Sequence, residues 1–266
     1  MVRAPMPEVT EHNDMLGDQP LFWRSAEGGE PPVLYLHGVP TSSADWVAFL
    51  ERTGGIAPDL FGFGRSSKRG DLDFTMPGYD RFVEVFLDHV GASRVRLVVH
   101  DWGVVGLLWA QRYPDRVERL VIMNAVPLLA GYRWHRFARA WRTPLVGEIA
   151  IGLSTRWAAR RAGMPAALVE EAWPHFDQGT QRAILRLYRS SPEDALARAG
   201  LDLGRIACPA LVVWGDRDPY IRPCFAEAYA DALGGEAEVL HLSDAGHWAW
   251  HDRPDVIDRI AAFLDD

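Results

Sequence analysis

The chain has 266 residues, 48% of them hydrophobic, and its 28 Lys and Arg against 36 Asp and Glu give a formal charge of −8. The length suits one α/β domain with an insertion, and the apolar content excludes a disordered chain. An acidic balance without a dense basic cluster excludes a nucleic-acid partner, and no apolar run approaches the roughly 18 residues of a membrane span.

In chain order, Val9 to Met15 and Pro20 to Ser25 read as an antiparallel opening pair. Strand-like runs follow at Val33 to His37, Gly55 to Leu60, Val95 to Val99, Leu120 to Asn124, Ala210 to Trp214 and Glu238 to Leu242. Helical periodicity separates them at Ala44 to Arg52, Gly78 to Val90, Val104 to Tyr113, Cys224 to Leu233 and Asp255 to Leu264. Alternation of this kind predicts a mostly parallel sheet covered on both faces. One interval breaks the rhythm. Between Asn124 and Ala210 the pattern is helical, rich in Trp and Arg, and too long for a simple crossover. Bracketed by Pro127 and Pro209, it predicts a helical cap over residues 127–207 on a core of 1–126 and 208–266. Arg156 to Arg161 within it read as a solvated helix face.

The first twenty residues carry Pro5, Pro7, Glu8, Glu11 and Asp14 and lack the apolar core of a signal peptide, which points to the cytoplasm. Cys208 and Cys224 are too few for a disulfide framework and fit no metal-ligand spacing, so both are expected to be free and buried or partly buried.

The chemistry concentrates at Val95 to Gly106. A β-branched strand runs directly into a helix there, so the junction must be a very sharp turn. Asp101 is its apex and Gly103 permits close backbone approach, which is the context of a nucleophile elbow. A carboxylate is useless against an ester carbonyl, because the anhydride formed would be more reactive than the substrate. It can attack a tetrahedral carbon bearing a leaving group, leaving an alkyl ester on the enzyme.

Cleaving that ester needs a base and a group to orient it. His247, in Ala245-Gly246-His247-Trp248, follows the last strand, and Asp218, in Gly215-Asp216-Arg217-Asp218, follows the one before. Asp216 competes for the orienting role, but beside Gly215 it can cap its own turn. His100 adjoins the nucleophile and reads as structural. The loop His37-Gly38-Val39-Pro40-Thr41-Ser42-Ser43 offers a backbone N–H at Val39 which, with that of Trp102, would form an oxyanion hole.

These segments, together with Asp59-Leu60-Phe61-Gly62-Phe63-Gly64-Arg65-Ser66, resemble the α/β-hydrolase fold in its epoxide hydrolase and haloalkane dehalogenase branch over nearly the whole length. The resemblance implies an eight-stranded, mostly parallel sheet flanked by helices, with a helical cap inserted after strand six. It implies no cofactor and no metal, and it leaves a homodimer open. Thr41-Ser42-Ser43 looks dehalogenase-like, yet Val39 stands where dehalogenases commonly carry an asparagine that holds the departing halide; a cap tryptophan, Trp141 or Trp157, could replace it. Leu187-Tyr188-Arg189 resembles the segment in which epoxide hydrolases carry a ring-opening tyrosine, with Tyr132 or His135 as the second donor. The sequence therefore favours opening of a small hydrophobic epoxide, with Trp102, Trp141 and Pro40 lining its site. Dehalogenation of a haloalkane by the same three residues is the alternative, and a non-catalytic binding protein of this fold is the second.

Overall fold

Among the residues that the computed structural model describes, 7–266, eight strands form one sheet in the order β1-β2-β4-β3-β5-β6-β7-β8. The strands are β1 (Thr10–Leu16), β2 (Gln19–Ala26), β3 (Val33–Leu36), β4 (Gly55–Pro58), β5 (Val95–His100), β6 (Val117–Met123), β7 (Ala210–Gly215) and β8 (Ala237–Leu242). β1 pairs antiparallel with β2 and β2 with β4, and all later pairings are parallel. Pro5 of the N-terminal segment, and the start of the expected core range, lie outside the described residues.

The continuous apolar runs have a direct cause, since a strand covered on both faces has no polar side to alternate with. In β5, Leu97 and Val99 enter one hydrophobic cluster and Val98 the other; in β7, Val212 and Trp214 divide from Leu211 and Val213 in the same way. Core helices α1 (Val47–Thr53), α2 (Met76–Val90) and α3 (Gly106–Arg112) precede the insertion. α10 (Phe225–Ala232), α11 (Ala249–Asp252) and α12 (Asp255–Asp265) follow it.

Between β6 and β7 the chain is helical throughout its regular elements: α4 (Arg136–Arg142), α5 (Val146–Gly152), α6 (Arg156–Arg161), α7 (Ala166–Ala172), α8 (Gln178–Ser190) and α9 (Glu193–Ala199). α8 matters most for the site. The Asp177 side chain caps it by accepting the Thr180 N–H, and Thr180, Ala183, Ile184, Leu187 and Tyr188 form its buried stripe. Spacings of three and four residues put Tyr188 on the face turned to the interior.

Two sequence readings change. The stretches expected as helix from Ala44 and from Val104 begin as 3-10 turns, Ser43–Trp46 and Asp101–Val105, before α1 and α3. Short 3-10 turns are frequent at the start of α-helices, and Asp101–Val105 follows directly on the tight exit from β5. Cys208 is partly buried as expected, but Cys224 is exposed. It sits at the N-terminal boundary of α10 just after Arg222-Pro223 and makes no side-chain capping hydrogen bond. Arg156 and Arg160 both pair with Glu170 on the exposed face of α6, as a solvated helix should.

Candidate active site

β5 ends at His100, and the next residue turns the chain. Asp101 has φ 49°, a left-handed conformation that a non-glycine residue holds only under constraint, at a cost of about 1–3 kcal/mol. Neighbours enforce it. A Cβ at Gly103 would lie 2.0 Å from the Leu36 carbonyl oxygen, and one at Gly38 would lie 2.5 Å from the Asp101 Cβ. Both glycines are therefore required by close approach, and the strained elbow is held between β3 and β5.

The three residues nominated from the sequence meet. His247 Nδ1 is 2.6 Å from Asp218 Oδ2, and His247 Nε2 is 3.5 Å from Asp101 Oδ2. Asp218 rather than Asp216 reaches the imidazole; Asp216 instead lies 2.6 Å from His241 Nδ1, near the surface. Asp218 also accepts from the backbone N–H groups of Tyr220 and Ile221 and from Asn124 Nδ2 at 2.8 Å. Asn124, at the carboxyl end of β6, was missed from the sequence although that position is where such sheets place functional groups. Its Oδ1 accepts the Gly215 N–H, which ties β6 to the turn that carries Asp218.

Burial opposes charge on both members of the Asp101–His247 pair. Attraction outweighs it: His247 holds Asp101 below its ordinary carboxyl value, and Asp218 first, then Asp101, hold His247 above the ordinary imidazole value. His100 is fully buried and driven by that burial down to about 3, so it is neutral, and its Nε2 donates to the His247 carbonyl at 3.0 Å. It anchors the loop of the third residue, a structural part in keeping with the sequence reading.

The backbone N–H of Val39 donates to Asp101 Oδ1 at 2.8 Å. That leaves Oδ2, on the His247 side, as the carboxylate oxygen that the Val39 N–H does not hold. Above it lies a cavity of about 170 Å³, lined mostly by apolar and aromatic side chains. Val39, Pro40, Trp141, Tyr132, Tyr188 and His135 all line it, as does Trp134, which the sequence did not single out. Trp157 does not; it is 69% exposed on the surface of the segment between β6 and β7. Nor is Trp102 among the lining residues, for its ring stacks on Trp134 and meets Tyr188 edge-on.

Several donors near Asp101 are uncommitted. Trp102 Nε1 and the Tyr132 hydroxyl are buried without a hydrogen-bond partner, whereas Trp134 Nε1 is spent on the Ser191 carbonyl. Tyr132 and Tyr188 are raised above the ordinary phenol value, first by burial and then by the Asp101 charge, so both are neutral hydroxyls. His135 is lowered by burial to about 4, and its Nδ1 accepts the Ala138 N–H, which leaves the proton on Nε2. Among the described residues no group of three or more His, Cys, Asp or Glu could hold a metal ion.

Comparison with known proteins places these features in context. Residues 31–254 match the α/β hydrolase fold family. The chain is 32% identical to a haloalkane dehalogenase of Mycolicibacterium paratuberculosis, covering 88% of this chain and 83% of that one. The crystal structure of haloalkane dehalogenase DbeA from Bradyrhizobium elkani superposes with a TM-score of 0.83 at 25% identity, over 97% and 98% of the two chains. The epoxide hydrolase CorEH superposes with a TM-score of 0.79 at 22% identity, over 97% and 99%.

Proposed function

The chain belongs to the α/β-hydrolase family of enzymes, in the branch that holds haloalkane dehalogenases and epoxide hydrolases, and on that premise we propose that it is a haloalkane dehalogenase. Residues 127–207 act as its cap in this reading. Asp101 Oδ2 attacks the halogen-bearing carbon, the carbon–halogen bond breaks with its electron pair leaving on the halide, and an alkyl ester forms on Asp101. Esterification removes the Asp101 charge, one of the influences that hold the proton on His247. The imidazole, oriented by Asp218, then takes a proton from water. The hydroxide adds to the ester carbonyl, whose oxygen is Oδ1, already facing the Val39 N–H. Collapse expels the alkoxide, which takes the proton held by His247 and leaves as the alcohol. The carboxylic acid left on Asp101 passes its proton through His247, one proton reaching solvent with each halide.

The observation that carries this reading is the Tyr132 hydroxyl, a buried donor without a hydrogen-bond partner that lines the cavity above Asp101, with Trp102 Nε1 a second such donor on the residue after the nucleophile. A halide needs no proton, only donors that stabilise its growing charge. Val39 has no side-chain donor, which on sequence grounds argued for epoxide chemistry; a neutral phenol supplies what Val39 lacks. The dehalogenase relatives point the same way.

Epoxide opening is the second reading, and a specific observation favours it. Three phenols, Tyr132, Tyr188 and Tyr220, line the cavity, and while the Tyr220 hydroxyl donates to the Ala162 carbonyl the other two could serve a developing alkoxide, which needs a proton donor. One experiment separates the two: a panel of apolar chloro- and bromoalkanes and epoxides, scored for free halide and for diol. Brisk halide release with little diol supports dehalogenation. Diol with negligible halide overturns it, and tight binding without turnover would indicate a non-catalytic binding protein.

A further inference from the structure

We propose that Asp45 is a positioning residue: as a neutral carboxylic acid it makes the Thr41 hydroxyl donate to the Gly38 carbonyl, and so aims the Val39 N–H at Asp101. The inference rests on the ester-hydrolysis step proposed above and adds to it a group with no part in the chemistry so far.

Two buried aspartates flank the oxyanion loop, and their surroundings differ. Asp59 accepts from the Ser43 N–H and hydroxyl through Oδ1 and from the Arg65 N–H through Oδ2. Asp45, in the 3-10 turn after the loop, is only 4% exposed, and its Oδ1 has no partner. A buried carboxylate with a bare oxygen is costly, whereas a neutral acid has one hydroxyl to donate and leaves only a weak acceptor unfilled. The Oδ2 of Asp45 is 2.5 Å from Thr41 Oγ1, its sole hydrogen-bond partner among the described residues.

The Thr41 hydroxyl has one proton and two oxygens within reach, Asp45 Oδ2 at 2.5 Å and the Gly38 carbonyl at 3.2 Å. When Asp45 is neutral it donates to Thr41, and the Thr41 proton is free for Gly38. When Asp45 is ionised, the charged acceptor captures that proton and Gly38 loses it. The Gly38 carbonyl belongs to the same planar peptide as the Val39 N–H. Holding the oxygen therefore aims the hydrogen, and donors to the oxygen also polarise the N–H. His37 provides the other hold. Its Nε2 accepts the Leu60 N–H, so the proton on its Nδ1 goes to the Gly38 carbonyl at 2.7 Å whatever the state of Asp45.

The charges that reach Asp45 come from three loops. Asp101 beyond β5 and Asp59 beyond β4 oppose its ionisation, and His247 beyond β8 favours it. Burial is the largest influence, and the carboxyl is pushed up to about 8. The arrangement should thus loosen on the alkaline side of neutrality.

The test has two arms. In the first, the decay of the alkylated enzyme is followed in single turnovers from about pH 6 to pH 10. Wild type should slow roughly tenfold through the alkaline range, less than the roughly 10²–10³-fold cost of losing an oxyanion donor outright. Asp45→Asn, whose amide donates to Thr41 at every pH, should start somewhat slower and stay flat. An Asp45→Asn profile that keeps the alkaline fall overturns the proposal.

The second arm needs no substrate. In His247→Gln, which removes the imidazole titration, carboxyl carbon-13 signals and the Val39 amide nitrogen are followed over the same range. One aspartate should titrate near the value to which Asp45 is pushed, and the Val39 amide should move with the same midpoint. A Val39 amide that ignores the alkaline range overturns the proposal even if Asp45→Asn does not fold. If no substrate alkylates the enzyme, the function proposed above fails while this arm still decides the role of Asp45.

Discussion

Nε2 of His247 stands 3.5 Å from Oδ2 of Asp101, while its Nδ1 is only 2.6 Å from Asp218. The imidazole is thus clamped on one side and merely paired on the other. That asymmetry suits a residue that must keep its orientation through the cycle and yet give way to a water on the Asp101 side. Both carboxylates raise its proton affinity, and in the proposed reaction only the Asp101 charge would be erased, when the ester forms.

Asp101→Asn imitates that erasure, and the His247 pKa should fall by roughly 1–3 units in a histidine NMR titration. The signs of the pH effects follow. The raised His247 value contributes stability that is complete below the unfolded imidazole value of about 6.5 and is lost as pH rises through the folded value. The depressed Asp101 value contributes stability that is present above an unfolded value of about 3.8 and is lost as pH falls through the folded one. Relative to Asp101→Asn, wild type should therefore gain most between about pH 4 and pH 6.5, judged by urea unfolding, and lose that gain at alkaline pH. An unchanged imidazole titration would show that the pair is not coupled.

Replacing His247 with Gln should separate the half-reactions, since alkylation needs only the carboxylate and hydrolysis needs the base. Intact-mass analysis after incubation with a bromoalkane should show a persistent adduct equal to the alkyl group, mapped to the peptide that contains Asp101. Normal turnover by this variant would remove His247 from its role.

The orienting carboxylate makes a sharp comparison because the two candidates are two residues apart. Asp218→Ala should lower turnover by roughly 10²–10⁴-fold, as loss of the group behind a catalytic histidine does elsewhere. Asp216→Ala removes a partner of His241 near the surface and should change turnover by less than about threefold. The reverse ranking would reassign the role.

Legibility in the sequence followed from how local each feature is. The elbow at Asp101, the loop at Gly38 and the glycine before His247 declare themselves because steric demand near a strand end writes itself into adjacent residues. Asp218 could be ranked above Asp216, but the reason differs from the one the sequence offers: the Asp216 carboxylate is taken by His241 and not by the turn beside Gly215. The insertion between β6 and β7 was visible as missing strand periodicity, but its short helices scatter their apolar residues. Trp141 and Trp157 therefore looked alike on paper, although one lines the cavity and the other faces solvent. Asn124 and Trp134 act through partners far off in the chain, Asn124 with Gly215 and Trp134 with Ser191, and no spacing rule encodes such pairs. Asp45 reaches Thr41 only four residues away, but the burial that leaves its other oxygen bare comes from the tertiary fold.

Leaving-group chemistry is where a single hydroxyl or N–H decides the reaction. Trp102→Phe keeps an aromatic ring against Trp134 and Tyr188 but deletes the N–H that has no partner in the free enzyme. If that N–H stabilises a departing halide, halide release in a single turnover should fall by roughly 10²–10³-fold, the usual cost of removing one donor from developing charge. Tyr132→Phe should lower it further and in the same step, because its hydroxyl is a buried donor without a partner that lines the cavity. Tyr188→Phe should matter less for a halide, which needs no proton. For an epoxide the order inverts: loss of the Tyr188 acid should cost roughly 10²–10⁴-fold in diol formation while Trp102→Phe is mild. Adduct decay should be spared by all three variants, since hydrolysis relies on His247, Asp218 and the Val39 N–H. Halide release that survives Trp102→Phe and Tyr132→Phe unchanged would sink the halide assignment of these donors.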